Sequence, residues 1–482
     1  MSCELTWLSG NSPHPSIHIL DDDSLLNIFY LYRPPISDED EDDDTRTTGG
    51  RGWDRKRWWY KLAQVCQRWR NQIFGSASYL DLCLFCTYGT PVVDMMAHSP
   101  PLPLVIDYVD PNRDITSEVE GIILALGQRH RVCRIRLDVP LPNMQKLIMS
   151  IDEEYPVLEY LIMAIPIGDK STIVMLPQTL QAPHLRRLRL EGFALPIRSP
   201  LLTTSVGLIT LALSVGHPSA YFQPDTLLQW LSSMPQLEVL VVAFFFPVLN
   251  RDVERQLMHT THVTLPNLRW FEFRGVSAYL EAVVGRITTP RLQRLSVKFF
   301  KQLTFSVPHL QHFMDTSENL RLDSAKFMFS RDGVYVRVHP RGDEMYALRM
   351  NVHCLHFDWQ VSSVAQIFNP LTQIFSSVEH LTLQHRVQSL SSEEHNEVDR
   401  IEWRKLLRPF SSVKSLRVDN GLVKQLSRSL RPDDGELPLE LFPELQELTY
   451  SGSGDTRDAF NSFIEARQNA DHPVTLTRRR RR

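Results

Sequence analysis

One pair of side chains is spaced for metal or thiol chemistry: Cys83 and Cys86 form a CxxC that could supply half of a tetrahedral zinc site. A complete site needs two more ligands, and no second CxxC and no nearby CxxH follows. Around the pair, Leu80, Leu82 and Leu84 alternate with Asp81, Cys83 and Phe85, so the segment reads as a strand in which cysteine is a small, partly buried residue. There is no GxxxxGK phosphate loop, no GxSxG elbow, no HExxH and no Cys/His array of the RING type. The 17 histidines are scattered, and one beside a strand, such as His356, reads as structural or solvent-facing. The expectation is no catalytic residue, no metal, no cofactor and no enzymatic activity.

Charge is the next candidate for function. The chain has 482 residues, 43% apolar, with a formal net charge of −4. That balance fits a soluble globular protein and gives no bulk attraction to nucleic acid or to an anionic membrane. The near-neutral sum conceals two opposed runs, seven consecutive acids at 38–44 and five arginines at 478–482. The acidic run repels itself and cannot be buried, so it is expected as a solvated loop. The longest strongly apolar run, 239–249, contains Pro247 and is far short of the roughly 20 residues that span a bilayer. Six cysteines without regular spacing give no disulfide framework, and residues 1–10 show no secretory pattern. Residence in the cytoplasm is expected, with the terminal arginines admitting nuclear entry; no membrane and no nucleic-acid partner is expected.

Two helices head the chain. Residues 17–32 carry Asp21, Asp22 and Asp23 where a helix start favours negative charge, then Leu25, Ile28, Phe29 and Tyr32 at helical spacing. Pro34 and Pro35 end that helix. A second helix is expected over 54–74, with Trp58, Leu62, Val65, Cys66, Trp69 and Ile73 on one side and Gly75 as a left-handed cap. The residues Leu20, Leu25, Leu26, Ile28 and Phe29, followed by Val65, Cys66 and Trp69, resemble the F-box, in the divergent version common in fungal proteins. Asp21 stands where that family has proline, Asp23 where it has glutamate, Ser24 at an aliphatic position, and about twenty extra residues separate the two halves.

The rest of the chain repeats one short word, apolar-x-x-apolar-x-apolar, often preceded by Pro-x. Pro183 leads into Leu185, Leu188 and Leu190; Pro235, Pro266, Pro290 and Pro443 open similar copies. The copies start at 132, 158, 185, 208, 237, 268, 292, 322, 352, 378, 413 and 445, in steps of 23 to 35 residues. One such strand cannot bury its apolar side without neighbours, so an irregular leucine-rich-repeat-like solenoid is expected, with outer helices such as the one carrying Leu227, Leu228, Trp230 and Leu231. The fold class is thus α/β, a small all-α F-box-like head followed by that solenoid. The expected divisions are a tail at 1–16, the head at 17–78 with an insertion over about 34–53, a connecting strand and helix at 79–124, the solenoid at 125–455, and a C-terminal helix and basic tail at 456–482.

Residues alternating with the buried ones should point outward on the concave face. These columns hold seven Arg or Lys against two acids, including Arg134 and Arg136 early and Ser324, Lys326, Cys354 and His356 later. Trp270 with Arg187, Arg189, Val239, Val241 and Arg294 is the expected target-binding centre, since interface hot spots favour Trp and Arg, and an acidic or phosphorylated target would suit the arginines. The resemblance implies that Leu20, Leu25, Leu26, Ile28, Phe29, Val65 and Trp69 form or support a surface for the Skp-family adaptor of a cullin–RING (SCF-type) ubiquitin ligase. The chain would then be a non-catalytic substrate receptor. The alternative is a leucine-rich-repeat scaffold, its helical head a cap, with no link to ubiquitination.

Overall fold

The computed structural model describes residues 20–33, 57–165, 173–196, 198–246, 262–300, 302, 304–317, 319–320, 322–342, 345–386, 400–431, 440–451 and 458–479. The acidic run 38–44 and Arg480 to Arg482 lie outside them. The chain divides into two units, 1–143 and 144–482, each described by itself. It is mixed α/β, with sheets built mostly of parallel strands.

In the first unit, α1 spans Asp22–Tyr32 and starts where Asp21 accepts a 2.6 Å hydrogen bond from the Ser24 N–H. The residue that departs from the family's proline is therefore a good N-cap. That bond, the largest cause, also holds the Asp21 carboxyl below its ordinary range. The expected single helix over 54–74 is two helices, α2 (Trp58–Ala63) and α3 (Gln67–Gly75). They break at Cys66, whose extended backbone and thiol, 3.5 Å from the Trp69 N–H, cap α3. Val65 is thereby taken off the apolar stripe. Gly75 is not a left-handed cap; it ends α3 itself and Ser76 follows with φ −114°. Arg68 on α3 ties down the start of α1, donating to Asp22 Oδ1 at 2.7 Å and to the Leu20 carbonyl at 2.5 Å.

Three parallel strands follow in this unit: β1 (Leu84–Cys86), β2 (Leu104–Val109) and β3 (Val132–Asp138), paired in that order. Leu80, Leu82 and Leu84 are buried while Asp81 is exposed and Cys83 half-buried, as the alternation predicts, but the strand is shorter than expected. Asp81 has φ 51°, β1 is three residues long, and all three are buried. Arg57 joins the helical part to β1, donating to the Phe85 carbonyl at 3.2 Å and to Thr90 Oγ1 at 2.8 Å. Residues 79–124, expected as a connection, thus contribute two strands of the sheet.

The second unit holds β4 (Tyr160–Ala164), β5 (Arg187–Glu191), β6 (Thr210–Val215), β7 (Val239–Phe244), β8 (Trp270–Gly275) and β9 (Arg294–Phe299). All pair in parallel in sequence order. The repeated Pro-x-Leu word has a local cause. Each proline is the second residue of a turn closed by a backbone bond, from Leu185 N to Ala182 O at 3.1 Å, Leu237 to Met234 at 3.2 Å, Leu268 to Leu265 at 3.3 Å, Leu292 to Thr289 at 3.2 Å and Leu445 to Phe442 at 3.0 Å. Proline's fixed φ suits that place, and the leucine two residues on is buried at the strand's foot.

The ladder then departs from simple repetition. β10 (Ser324–Phe329), β11 (Gly333–His339) and β12 (Leu348–His353) form an antiparallel meander, and it is β12 that pairs with β9. The parallel ladder resumes from β10 with β13 (His380–His385), β14 (Ser415–Val418), β15 (Glu447–Ser451) and β16 (Thr475–Arg479). The copy expected to start at 352 is a correction: its strand ends at His353, Cys354 is buried beyond it, and His356 sits at the start of the helix Phe357–Phe368. Residues 456–482 hold the expected helix, Asn461–Asn469, and then β16, which takes in Arg478 and Arg479.

Helices cover the buried side of these strands. Ring contacts join Phe271 to Phe313 at 6.2 Å, Phe327 to Phe368 at 5.3 Å and Phe329 to Trp403 at 5.7 Å, strand residue to helix residue each time. The helix Pro224–Leu231 buries Leu227, Leu228, Trp230 and Leu231 as expected. The other side of the sheet is largely half-exposed, giving the alternating burial of β4, β5 and β8.

Candidate partner-binding surfaces

The residues expected at the adaptor surface separate into two groups. Leu25 and Phe29 are buried, and Phe29 meets Trp69 edge-on with ring centroids 5.0 Å apart, so these three hold α1 to α3. Leu20 and Leu26 are half-buried. Ile28 is 43% exposed and Val65, freed by the helix break, 59%. The sequence reading did not name the most exposed apolar residue of α1, Leu31, which is 81% open, nor count Tyr32, 59% open, as surface. Ile28, Leu31 and Tyr32 follow i, i+3, i+4 spacing and so share one side of α1. Helical spacing marked Ile28 and Tyr32 together with Leu25 and Phe29; what it could not fix was which of these apolar residues face the core.

On the sheet, the expected target-binding residues fall into two adjacent rows. Tyr160, Arg187, Thr210, Val239, Trp270 and Arg294 stand directly opposite one another across β4 to β9; the next row is Ile162, Arg189, Ala212, Val241, Glu272 and Ser296. Arg187, Arg189, Val239, Val241, Trp270 and Arg294 are all half-exposed. Arg187 lies over the Tyr160 ring at 5.6 Å, and Arg189 is 3.9 Å from Glu191. The indole N–H of Trp270 has no acceptor.

The second row continues past Ser296 through Arg349, Arg337, Lys326, Thr382, Arg417 and Thr449. Arg337 was missed because β11 was missed, and Arg349 because the copy expected at 352 starts too late, and with them went a run of positive charge on this face. Burial first, then Arg337, Arg386 and Arg417, lowers the Lys326 pKa. Further along, burial and then Arg274 and Arg349 lower that of Lys298, while burial raises Glu272 against Arg349, Lys298 and Arg189.

A hydrogen bond with Cys133, then burial, pushes the Cys83 thiol up, and burial pushes Cys86 up to about 12. Among the described residues no group of three or more His, Cys, Asp or Glu is placed to hold a metal, and no helix is long and apolar enough to cross a membrane. No protein-family model matches the chain, and no curated protein does.

Proposed function

We propose that this chain is a non-catalytic substrate-recognition subunit of an SCF-type cullin–RING ubiquitin ligase, its F-box-like head docking on the Skp-family adaptor and its leucine-rich-repeat-like body holding a target protein. The observation that carries the reading is the open apolar side of α1, with Ile28, Leu31 and Tyr32 unburied beside a well-packed Leu25, Phe29 and Trp69. A helix that holds its own core with one side and leaves an apolar side to water is built for a partner. The open sheet face supports the other half, since Trp and Arg side chains in register make an anchor surface. Ubiquitin transfer would be promoted by proximity, through the raised effective concentration of target lysines, with no reacting group from this chain.

A pull-down of the full chain with purified Skp-type adaptor tests the reading. Stoichiometric capture is expected. No capture of a chain whose circular dichroism shows folded helices would leave the scaffold alternative, in which the head is only a cap.

A further inference from the structure

Two thiols of the first unit meet over the start of β2. Val132 stands opposite Leu104 and Arg134 opposite Val105, so Cys133 is the extra residue of a bulge in β3. A bulge re-aims a side chain. Here the Cys133 thiol lies back over β2 and donates to the Leu104 carbonyl at 3.3 Å. Cys83 immediately precedes β1, whose Leu84 is paired with the same Leu104. Its thiol makes only a long contact, 4.0 Å, with the Asp81 carbonyl, and it meets the Cys133 sulfur in a hydrogen bond. Both residues are half-buried, whereas Cys86 and Cys354 are buried.

We infer that Cys83 and Cys133 are a thiol–disulfide exchange site, which a low-molecular-weight disulfide such as oxidised glutathione converts into a Cys83–Cys133 cross-link. The site is independent of both adaptor docking and target binding. A hydrogen-bonded pair of thiols gives up one proton and holds the other: the Cys83 S–H donates to the Cys133 sulfur and so favours a thiolate there. Arg134, next to Cys133 in sequence and close enough to act on Cys83, adds positive charge. The Cys133 thiolate attacks one sulfur of glutathione disulfide, forms a mixed disulfide and releases a glutathione thiolate, which takes a proton from solvent. Cys83 then loses its proton to solvent and attacks the Cys133 sulfur, releasing the second glutathione. Together the two cysteines lose two electrons and two protons, and one glutathione disulfide becomes two glutathione thiols. A disulfide asks for Cβ atoms about 3.5–4.5 Å apart, and Cys83 is the partner placed to adjust. It lies outside β1, two residues after Asp81 with φ 51°, and β1 is a three-residue strand at the end of the sheet order. The link joins residues fifty apart in sequence, tying the lead-in of β1 to β3 across β2.

The test incubates the full chain in buffers of rising oxidised-to-reduced glutathione ratio, blocks the remaining thiols with an alkylating agent in acid, and maps the peptides by mass spectrometry. A peptide linked through Cys83 and Cys133, on a chain lighter by two hydrogens, is expected. The linked chain should keep its circular dichroism, unfold at a higher urea midpoint, and return to the original midpoint on reduction. Cys83→Ala and Cys133→Ala should each cut the cross-link at least tenfold, with Cys83→Ala stopping at a glutathione adduct on Cys133. Cys83→Ser and Cys133→Ser serve if an alanine variant does not fold. Absence of the Cys83–Cys133 link in a folded chain, at a ratio that fully oxidises a protein disulfide isomerase in a parallel tube, overturns the inference. So does a link that forms only after urea has unfolded the chain, or one in which Cys86 takes the place of Cys83.

Discussion

Replacing Arg337 with threonine should stabilise the protein, an unusual direction for a point change. Arg337 faces Lys326 on one side and Arg349 on the other, so its removal abolishes two like-charge pairs at once. Unit charges about 5 Å apart repel by roughly 0.8 kcal/mol in water, and measured cross-strand pairs fall at about 0.2–1 kcal/mol. Arg337 is exposed, so little packing is lost, and threonine suits a strand. The net gain is about 1 kcal/mol at low ionic strength. Because the Debye length falls from about 30 Å at 0.01 M to about 3 Å at 1 M salt, most of the gain should vanish in high salt. The assay is urea unfolding followed by tryptophan fluorescence at both salt concentrations, comparing midpoints at unchanged slope. A lower midpoint for Arg337→Thr, or a gain equal at both salts, would refute the claim that the row holds uncompensated repulsion.

Three further outcomes follow from particular contacts. Gly333→Ala should destabilise by more than about 2 kcal/mol in urea unfolding, since an added Cβ would collide with the Val352 carbonyl oxygen where β11 meets β12. Glu281→Ala should cost about 1–3 kcal/mol in thermal or urea unfolding, because its buried carboxylate accepts from the His309 and Leu310 N–H groups at 2.7 and 3.0 Å and caps the helix Pro308–Asp315. His385 and His353 have pKa values lowered mainly by burial, so the stability they contribute is complete above about 6.5, the ordinary histidine value, and is lost as pH falls through their lowered folded values. Midpoints measured from pH 7.5 to 5 should drop less in His385→Gln than in the original chain, and an identical drop would remove His385 from the account.

Much of the fold was legible because its cause is local. Pro183, Pro235, Pro266, Pro290 and Pro443 each set the turn before a strand, so the word marks the strand whatever lies around it. That the residues from Arg187 to Arg294 share one open face of the sheet followed from strand period alone. What escaped had another signature. In β11, Val334, Val336 and Val338 alternate with Tyr335, Arg337 and His339 after Asp332 and Gly333, a hairpin signal that a search for the repeat word passes over. β12 was misplaced by several residues for the same reason, so His356 was expected in the row where Arg349 stands. In the head, the break at Cys66 depends on a thiol accepting a backbone N–H, which apolar spacing does not encode. Burial of Leu25 and Phe29 but not Ile28 depends on where Trp69 packs, a tertiary matter.

The adaptor surface proposed above is the open side of α1. Isothermal titration of purified Skp-type adaptor into the full chain, and into Leu31→Asp and Ile28→Asp variants that retain the original helical signal and melting temperature, tests it most directly. One-to-one binding by the original chain and at least tenfold weakening in both variants is the predicted result, given that burying either side chain contributes about 1.5–3 kcal/mol. No heat of binding with the folded original chain, or equal affinity for all three proteins, would contradict it.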